Sequence, residues 1–542
     1  MALFDVDSPG PTITSATDRD GIHPELLADR LSRRPILLIG DIGVGKTTFI
    51  RHLINVEATD VFANAVTLYL DLGSQATLSG DLRAFIVREL IQQLRTQHGV
   101  DIEQDNFVRA VYHPELCRFR KGIYGRLEEA DADQFRAKEI KFLEDKICRP
   151  EEHVRSSLEH LSKGRSKQIV VFLDNADQRG DALQNDLFLI AQEMAEHWPA
   201  TVFVTLRPET FHRSAKSGVL SGYHPKAFTV SPPRVERVIK KRLAFAIDII
   251  RGRFPSLTIP EGTGLRLEEL ATVIRVFSQS LDANAELVEC IDNIAGGNVR
   301  LALDLVRGFF GSGHVDTEKI VGIFKDQGSY TVPLHEFLRA VIFGDTVHYS
   351  SERSPIANLF DVAAHDPREH FLLPLTLALL RQATQARTDH GFVETGTLYE
   401  HLQGMGFTAD QVDFAIVRAH RKNLVETPAR QIPEAGKPMP RALRATTLGL
   451  YHEARLCAMF AYVDAMIVAT PIFDLEVREQ VCDVNEVQER LKRAETFRQY
   501  LDKQWDDFGS ATTLFDWNRI SEELHKDIEA VAQQAGKGGR RQ

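Results

Sequence analysis

The stretch Ile36-Leu37-Leu38-Ile39, Gly40-Asp41-Ile42-Gly43-Val44-Gly45-Lys46-Thr47, Thr48-Phe49-Ile50-Arg51-His52-Leu53 decides how this chain is to be read. Four apolar residues make a buried strand, the glycines make a turn, and the apolar spacing after Thr47 makes a helix. In that order the pattern G-x-x-x-x-G-K-[ST] is a phosphate cradle. Glycine lets consecutive backbone N–H groups turn inward around an anion, and the following helix aims the positive end of its dipole at the same point. Lys46 then reaches the β- and γ-phosphates of a nucleotide, and the Thr47 hydroxyl ligates magnesium. The candidate nucleotide-binding residues are therefore Gly40, Asp41, Ile42, Gly43, Val44, Gly45, Lys46, Thr47 and Thr48. Thr47 is also the first candidate metal ligand.

The second ligand comes from Ile169-Val170-Val171-Phe172-Leu173-Asp174-Asn175-Ala176-Asp177. Its apolar run predicts a buried strand whose C-terminal end presents Asp174 at the sheet edge where open α/β sheets bind ligands. Asp174 and Thr47 thus form the expected magnesium pair. Asn175 and Asp177 follow Asp174 as further candidate site residues. The strand Thr201-Val202-Phe203-Val204-Thr205-Leu206 ends in Arg207. Thr205 and Arg207 are candidates to sense the γ-phosphate or the attacking water, with a sheet-edge ion pair the alternative for Arg207. Further on, a Gly296-Gly297-Asn298 turn opens a helix whose first turn holds Arg300. Arg300 is either a contact to the nucleotide cleft or an ordinary solvated arginine.

The rest of the 542 residues is too much for one hydrophobic core and predicts several units. Net charge of -11 excludes a protein whose whole surface binds nucleic acid or anionic membrane, while allowing one local basic face. Five scattered cysteines without C-x-x-C spacing argue against a zinc site or disulfide framework and for reduced, cytoplasmic thiols. Residues 1–21 are polar and rich in Pro, Ser and Thr, and read as a flexible lead-in rather than a signal peptide. The most apolar window, 456–473, carries Asp464 and reads as a buried helix rather than a bilayer span.

The expected layout is an α/β core with a parallel sheet and helices on both faces over 22–232, followed by a helical lid over 233–330. A winged-helix region over 331–447, a helical C-terminal region over 448–535 and a disordered basic tail over 536–542 complete it. Within the core, the run 65–72 predicts a strand buried on both faces. Residues 100–167 form a charged helical insertion, read as a cap on the sheet or as a partner surface. In the winged-helix region a helix over 409–421, capped by Thr408, would carry Arg418, Arg421 and Lys422 at its far end. Asp410 and Asp413 at its near end would repel phosphate, which favours packing or regulation over DNA reading.

With these residues placed, the chain resembles the P-loop NTPases of the ASCE class: the STAND branch and the neighbouring origin-recognition-like AAA+ ATPases. The resemblance rests on GDIGVGKT at 40–47, FLDNAD at 172–177, TLR at 205–207, and the order of lid and winged helix behind them. It implies ATP and magnesium as ligands and a nucleotide-driven switch, often with self-assembly. Two departures stand out. Asn175 replaces the glutamate that in such ATPases polarises water; an amide cannot accept a proton at neutral pH, so the resemblance implies hydrolysis that is slow or uses Asp177. The lid turn is Gly297-Asn298-Val299-Arg300 rather than a Gly-x-Pro signature. The expected function is a slowly hydrolysing ATP-dependent regulatory switch acting on a protein partner or on copies of itself. The alternative is a DNA-binding AAA+ loader or transposition-type regulator using the winged helix.

Overall fold

The apolar runs at 36–39, 168–174 and 200–206 become neighbouring parallel strands in a computed structural model. It describes residues 13–15, 34–73, 81–175, 181–208, 210–211, 226–254, 267–386, 391–428, 431–482, 484, 486–508 and 514–538. The chain divides into two compact units, Met1–Pro233 and Arg234–Gln542. Asp177 lies outside the described residues.

In the first unit a six-stranded sheet contains β1 (Ile13–Ser15), β2 (Ile36–Ile39), β3 (Ala65–Asp71), β4 (Gln168–Asp174), β5 (Ala200–Leu206) and β6 (Lys226–Val230). Their order is β1-β6-β2-β5-β4-β3. All neighbouring pairs are parallel except β1 with β6, which is antiparallel. Residues 13–15 are thus a correction to the flexible lead-in: they pair antiparallel with β6 at the edge of the sheet. β5 lies between β2, which feeds the glycine loop, and β4, which carries Asp174.

Helices cover both faces. The loop helix α1 (Lys46–His52) buries Phe49 and Ile50 with Phe172 and Phe203 on one face. Helices Leu82–Gln97 and Asp181–His197 bury Leu90, Leu94 and Ala191 with Leu68, Val171 and Val204 on the other. Each fully buried large side chain here contributes roughly 1.5–3 kcal/mol, so the glycine loop sits on a stiff platform. β3 departs from the expected strand buried on both faces: Val66, Leu68 and Leu70 are buried whereas Thr67, Tyr69 and Asp71 are half-exposed. The reason is its place at the end of the sheet, which leaves one face polar and accessible. The helical insertion splits its apolar residues. Val108, Tyr112, Leu116 and Leu143 form a small core of their own. Ile102, Phe107, Val154 and Leu158 pack on the sheet.

In the second unit one continuous core runs from Val235 through the wing to Ile528. It therefore crosses the divisions expected at 330 and 447. Helix Leu372–Ala386, β7 (Val393–Glu394), helix Thr395–Gly404, α2 (Ala409–Arg421), β8 (Val425–Glu426) and β9 (Ala442–Ala445) follow one another. The three strands pair antiparallel in the order β7-β9-β8, which is the winged-helix layout. Thr408 caps α2 in a reciprocal box with Gln411. The apolar window 456–473 forms a short turn, Leu456–Ala458, and helix Phe460–Ile467 rather than one long helix. Among the described residues no helix is long and apolar enough to cross a membrane. Helix Trp517–Gly538 runs into the stretch expected to be a loose tail.

Candidate functional site

The glycine loop closes on itself as its sequence requires. Gly43 and Gly45 have φ of 79° and 100°, left-handed values that side-chain-bearing residues avoid. A Cβ on Gly40 would come within 2.9 Å of Val44 Cγ2 and 3.3 Å of the Val230 carbonyl oxygen, so that position is closed to anything larger. The Gly40 N–H donates to Leu206 O at 3.1 Å and ties the loop to the end of β5. Helix α1 starts at Lys46 behind Gly45 with no side-chain cap, so the loop's first helical N–H groups have no side-chain acceptor of their own. Lys46 is buried, and its Nζ donates to Gly40 O at 2.5 Å and Asp41 O at 3.2 Å, placing the ammonium inside the turn. Val44 is buried beneath the loop, while Ile42 stands out from it at 42 % exposure.

Asp174 is completely buried, and both carboxylate oxygens are filled. Oδ2 accepts from Thr47 Oγ1 at 2.5 Å and from the Tyr69 hydroxyl at 2.6 Å. Oδ1 accepts from Thr205 Oγ1 at 2.6 Å and from the Asn175 backbone N–H at 2.9 Å. All four donors are neutral, so among the described residues no cationic side chain offsets this buried charge. Such a charge costs several kcal/mol unless a cation stands beside it. Thr47 and Asp174 present hard oxygen donors side by side, the ligand type magnesium takes, and they fit that ion. Burial first, then the Asp174 charge, raises the Tyr69 pKa well above its ordinary value, which keeps the hydroxyl protonated as a donor.

The structure therefore brings Lys46, Thr47, Asp174, Asn175 and Thr205 together. Thr205, expected to sense a γ-phosphate, donates its hydroxyl hydrogen bond to Asp174 Oδ1. Asn175 has a positive φ of 58°, which Asn tolerates, and its Nδ2 donates to Asp71 Oδ1 at 2.7 Å. Arg207 is half-exposed just beyond β5, and its carbonyl accepts from Phe211 N. Thr48 is exposed in α1. Arg300 belongs to the second unit, exposed in the first turn of helix Val299–Gly311 behind the cap Asn298.

Two residues of the cluster, Tyr69 and Asp71, escape the motif reading. Their signal was the alternation Thr67-Leu68-Tyr69-Leu70-Asp71, which puts a phenol and a carboxylate on one face of β3. The parallel register then sets Tyr69 beside Phe172 and Asp71 beside Asp174.

No family model and no curated protein matches the chain. Solved structures do resemble it. They include Cdc6p from Pyrobaculum aerophilum, 14% identical over 79% of this chain and 90% of that one, with a TM-score of 0.27. The Aeropyrum pernix ORC2 protein in its ADP form is 12% identical over 82% and 92%, with a TM-score of 0.35. The same protein in ADPNP-ADP complexes gives 12%, 82% and 93%, with a TM-score of 0.28.

Proposed function

We propose that the chain is an AAA+-type P-loop ATPase. In this reading residues 40–48 hold the phosphates of ATP, Lys46 reaches the β- and γ-phosphates, and Thr47 with Asp174 holds magnesium. The observation that carries it is the buried Asp174 carboxylate, bonded only to neutral donors and joined to the phosphate loop through Thr47. Magnesium would supply the positive charge that the donor set lacks and would clamp the phosphate oxygens. Thr205 and Tyr69 hold the Asp174 carboxyl group in one orientation, and Arg207 is the candidate γ-phosphate contact. Asn175 cannot take a proton from water, so turnover depends on another acceptor. Lys46→Ala should abolish ATP binding, and Asp174→Ala should bind ATP yet lose magnesium-dependent hydrolysis. Hydrolysis surviving in Asp174→Ala would refute the assignment.

For the output, the DNA-binding loader or regulator stands ahead of the STAND-like switch. Its support is the winged helix itself, with Arg421, Lys437 and Arg441 exposed around α2 and the wing. Arg418 and Lys422 do not belong to that surface. Arg418 Nη2 donates to Asp361 O at 2.8 Å, and Lys422 Nζ donates to Ser354 O at 2.7 Å. An Arg421/Lys437/Arg441 triple alanine variant should weaken duplex DNA binding at least tenfold. Its log K against log salt should be shallower by about 3, one unit for each lost phosphate contact. Absence of any salt-sensitive DNA shift by the wild type would return the switch acting on a protein partner to first place.

A further inference from the structure

The bond between Asn175 and Asp71 carries a second assignment, which rests on the proposed ATPase reading. We propose that Asp71 is the catalytic carboxylate that polarises the attacking water, with Asn175 as the positioning residue that aims it. A water-activating group has to accept a proton, which Asn175 cannot do, and Asp71 can.

The geometry favours this acid in three ways. Asp71 ends β3 in register with Asp174 on the neighbouring strand, so both carboxylates leave the sheet at the same C-terminal edge. Its Oδ1 accepts from Asn175 Nδ2 at 2.7 Å and from the Gly73 N–H at 3.0 Å, two bonds that hold this oxygen. Tyr69, two residues earlier on the same face of β3, already binds Asp174 Oδ2. One strand face thus serves both the magnesium aspartate and the amide that follows it. The left-handed backbone at Asn175 is what turns its amide toward β3. Acid and amide form a pair across the two strands, with the acid on β3.

In the reaction the water oxygen bonds to the γ-phosphorus as the bond from that phosphorus to the β,γ-bridging oxygen breaks. The bridging oxygen keeps the electron pair and leaves as part of ADP. The water proton passes to Asp71 and then to solvent, and the water oxygen stays in inorganic phosphate. No oxidant or reductant is involved.

Steady-state ATP turnover and ATP calorimetry on the full chain test the assignment, using Asp71→Asn, Asn175→Ala, Asp177→Asn and the exchanged pair Asp71→Asn/Asn175→Asp. Asp71→Asn should lower kcat about 100-fold while its ATP Kd stays within threefold of wild type. Asn175→Ala should lower kcat about tenfold with KM unchanged, a split that general loss of structure would not give. The exchanged pair, which returns a carboxylate to the couple, should regain at least tenfold over Asp71→Asn. If Asp71→Asn does not fold, the exchanged pair decides alone: turnover supports the assignment and its absence overturns it. Wild-type kcat in Asp71→Asn overturns it, as does loss of turnover in Asp177→Asn with Asp71→Asn intact. Wild-type protein that binds ATP without hydrolysing it refutes Asp71 and leaves nucleotide binding standing. Wild-type protein that binds no ATP refutes the proposed function itself.

Discussion

Two buried aspartates, one in each unit, meet opposite solutions to the same problem. Asp174 is 0 % exposed and bonds only to neutral donors: two hydroxyls of Thr residues, one phenol and one backbone N–H. Asp464, 3 % exposed, is held by two guanidinium groups: Arg490, whose Nε lies 2.9 Å away, and Arg493, whose Nη2 lies 2.5 Å away. Burying a carboxylate costs several kcal/mol, and a cationic partner offsets it. Asp464 is therefore neutralised by its own chain and ties helix Phe460–Ile467 to helix Val487–Phe508. Asp174 is oriented by neutral donors alone, with no ion pair to a cationic side chain among the described residues. The contrast separates a structural charge from a functional one by the kind of donor around it.

The same substitution at both positions gives the largest expected effect. Asp464→Asn should cost about 3–5 kcal/mol in urea unfolding, because two buried guanidinium groups lose their counter-charge. Asp174→Asn should not lower magnesium-free stability by more than about 1 kcal/mol, since no buried cation is stranded there and an unpaired buried charge is removed. Equal losses at the two sites would break the comparison.

Two histidines sharpen it from the cationic side. His370 and His452 are buried, and burial pulls each pKa from its ordinary value near 6.5 down to about 4. Both are neutral in the fold: His370 Nδ1 donates to Phe360 O at 2.6 Å, and His452 Nε2 accepts from the Ala357 N–H at 3.0 Å. Above pH 6.5 their contribution is complete. As pH falls from 6.5 to 4 the unfolded chain takes up protons first, so stability drops, by up to roughly 3 kcal/mol for each histidine. Melting followed from pH 7.5 to 4.5 should show this decline, and a His370→Gln variant should show less of it.

A ligand-dependent effect of similar size belongs to Asp174. Magnesium-ATP at about 100 times its Kd should stabilise the wild type by about 2.7 kcal/mol. In Lys46→Ala that shift should vanish, and in Asp174→Asn it should no longer depend on magnesium. The smallest effect concerns a cap far from either aspartate. Thr408→Ala should cost about 1 kcal/mol of stability without altering ATP binding.

Much of the first unit was legible in the sequence because its chemistry is local. The glycines at 43 and 45, the lysine between loop and helix, and an apolar run ending in Asp174 each report their role from adjacent residues. What was not legible depends on strand order. Tyr69 and Asp71 lie over a hundred residues from Asp174, and only the pairing of β3 with β4 makes them its neighbours. Likewise, Arg418 and Lys422 read as free cations on a helix end until the loop holding Ser354 and Asp361 packs against them. The third wing strand, Val393–Glu394, is two residues long and carries no period of its own. The long continuous core of the second unit hides its divisions from composition for the same reason: its contacts are made between distant segments.

The central claim is that the glycine loop and Asp174 form one magnesium-nucleotide site. Isothermal titration of ATP into the full chain, run once with magnesium and once with excess chelator, tests it most directly. Saturable binding at micromolar ATP that weakens at least tenfold under chelation is the predicted result. No heat at millimolar ATP in either condition, or binding indifferent to magnesium, would contradict it.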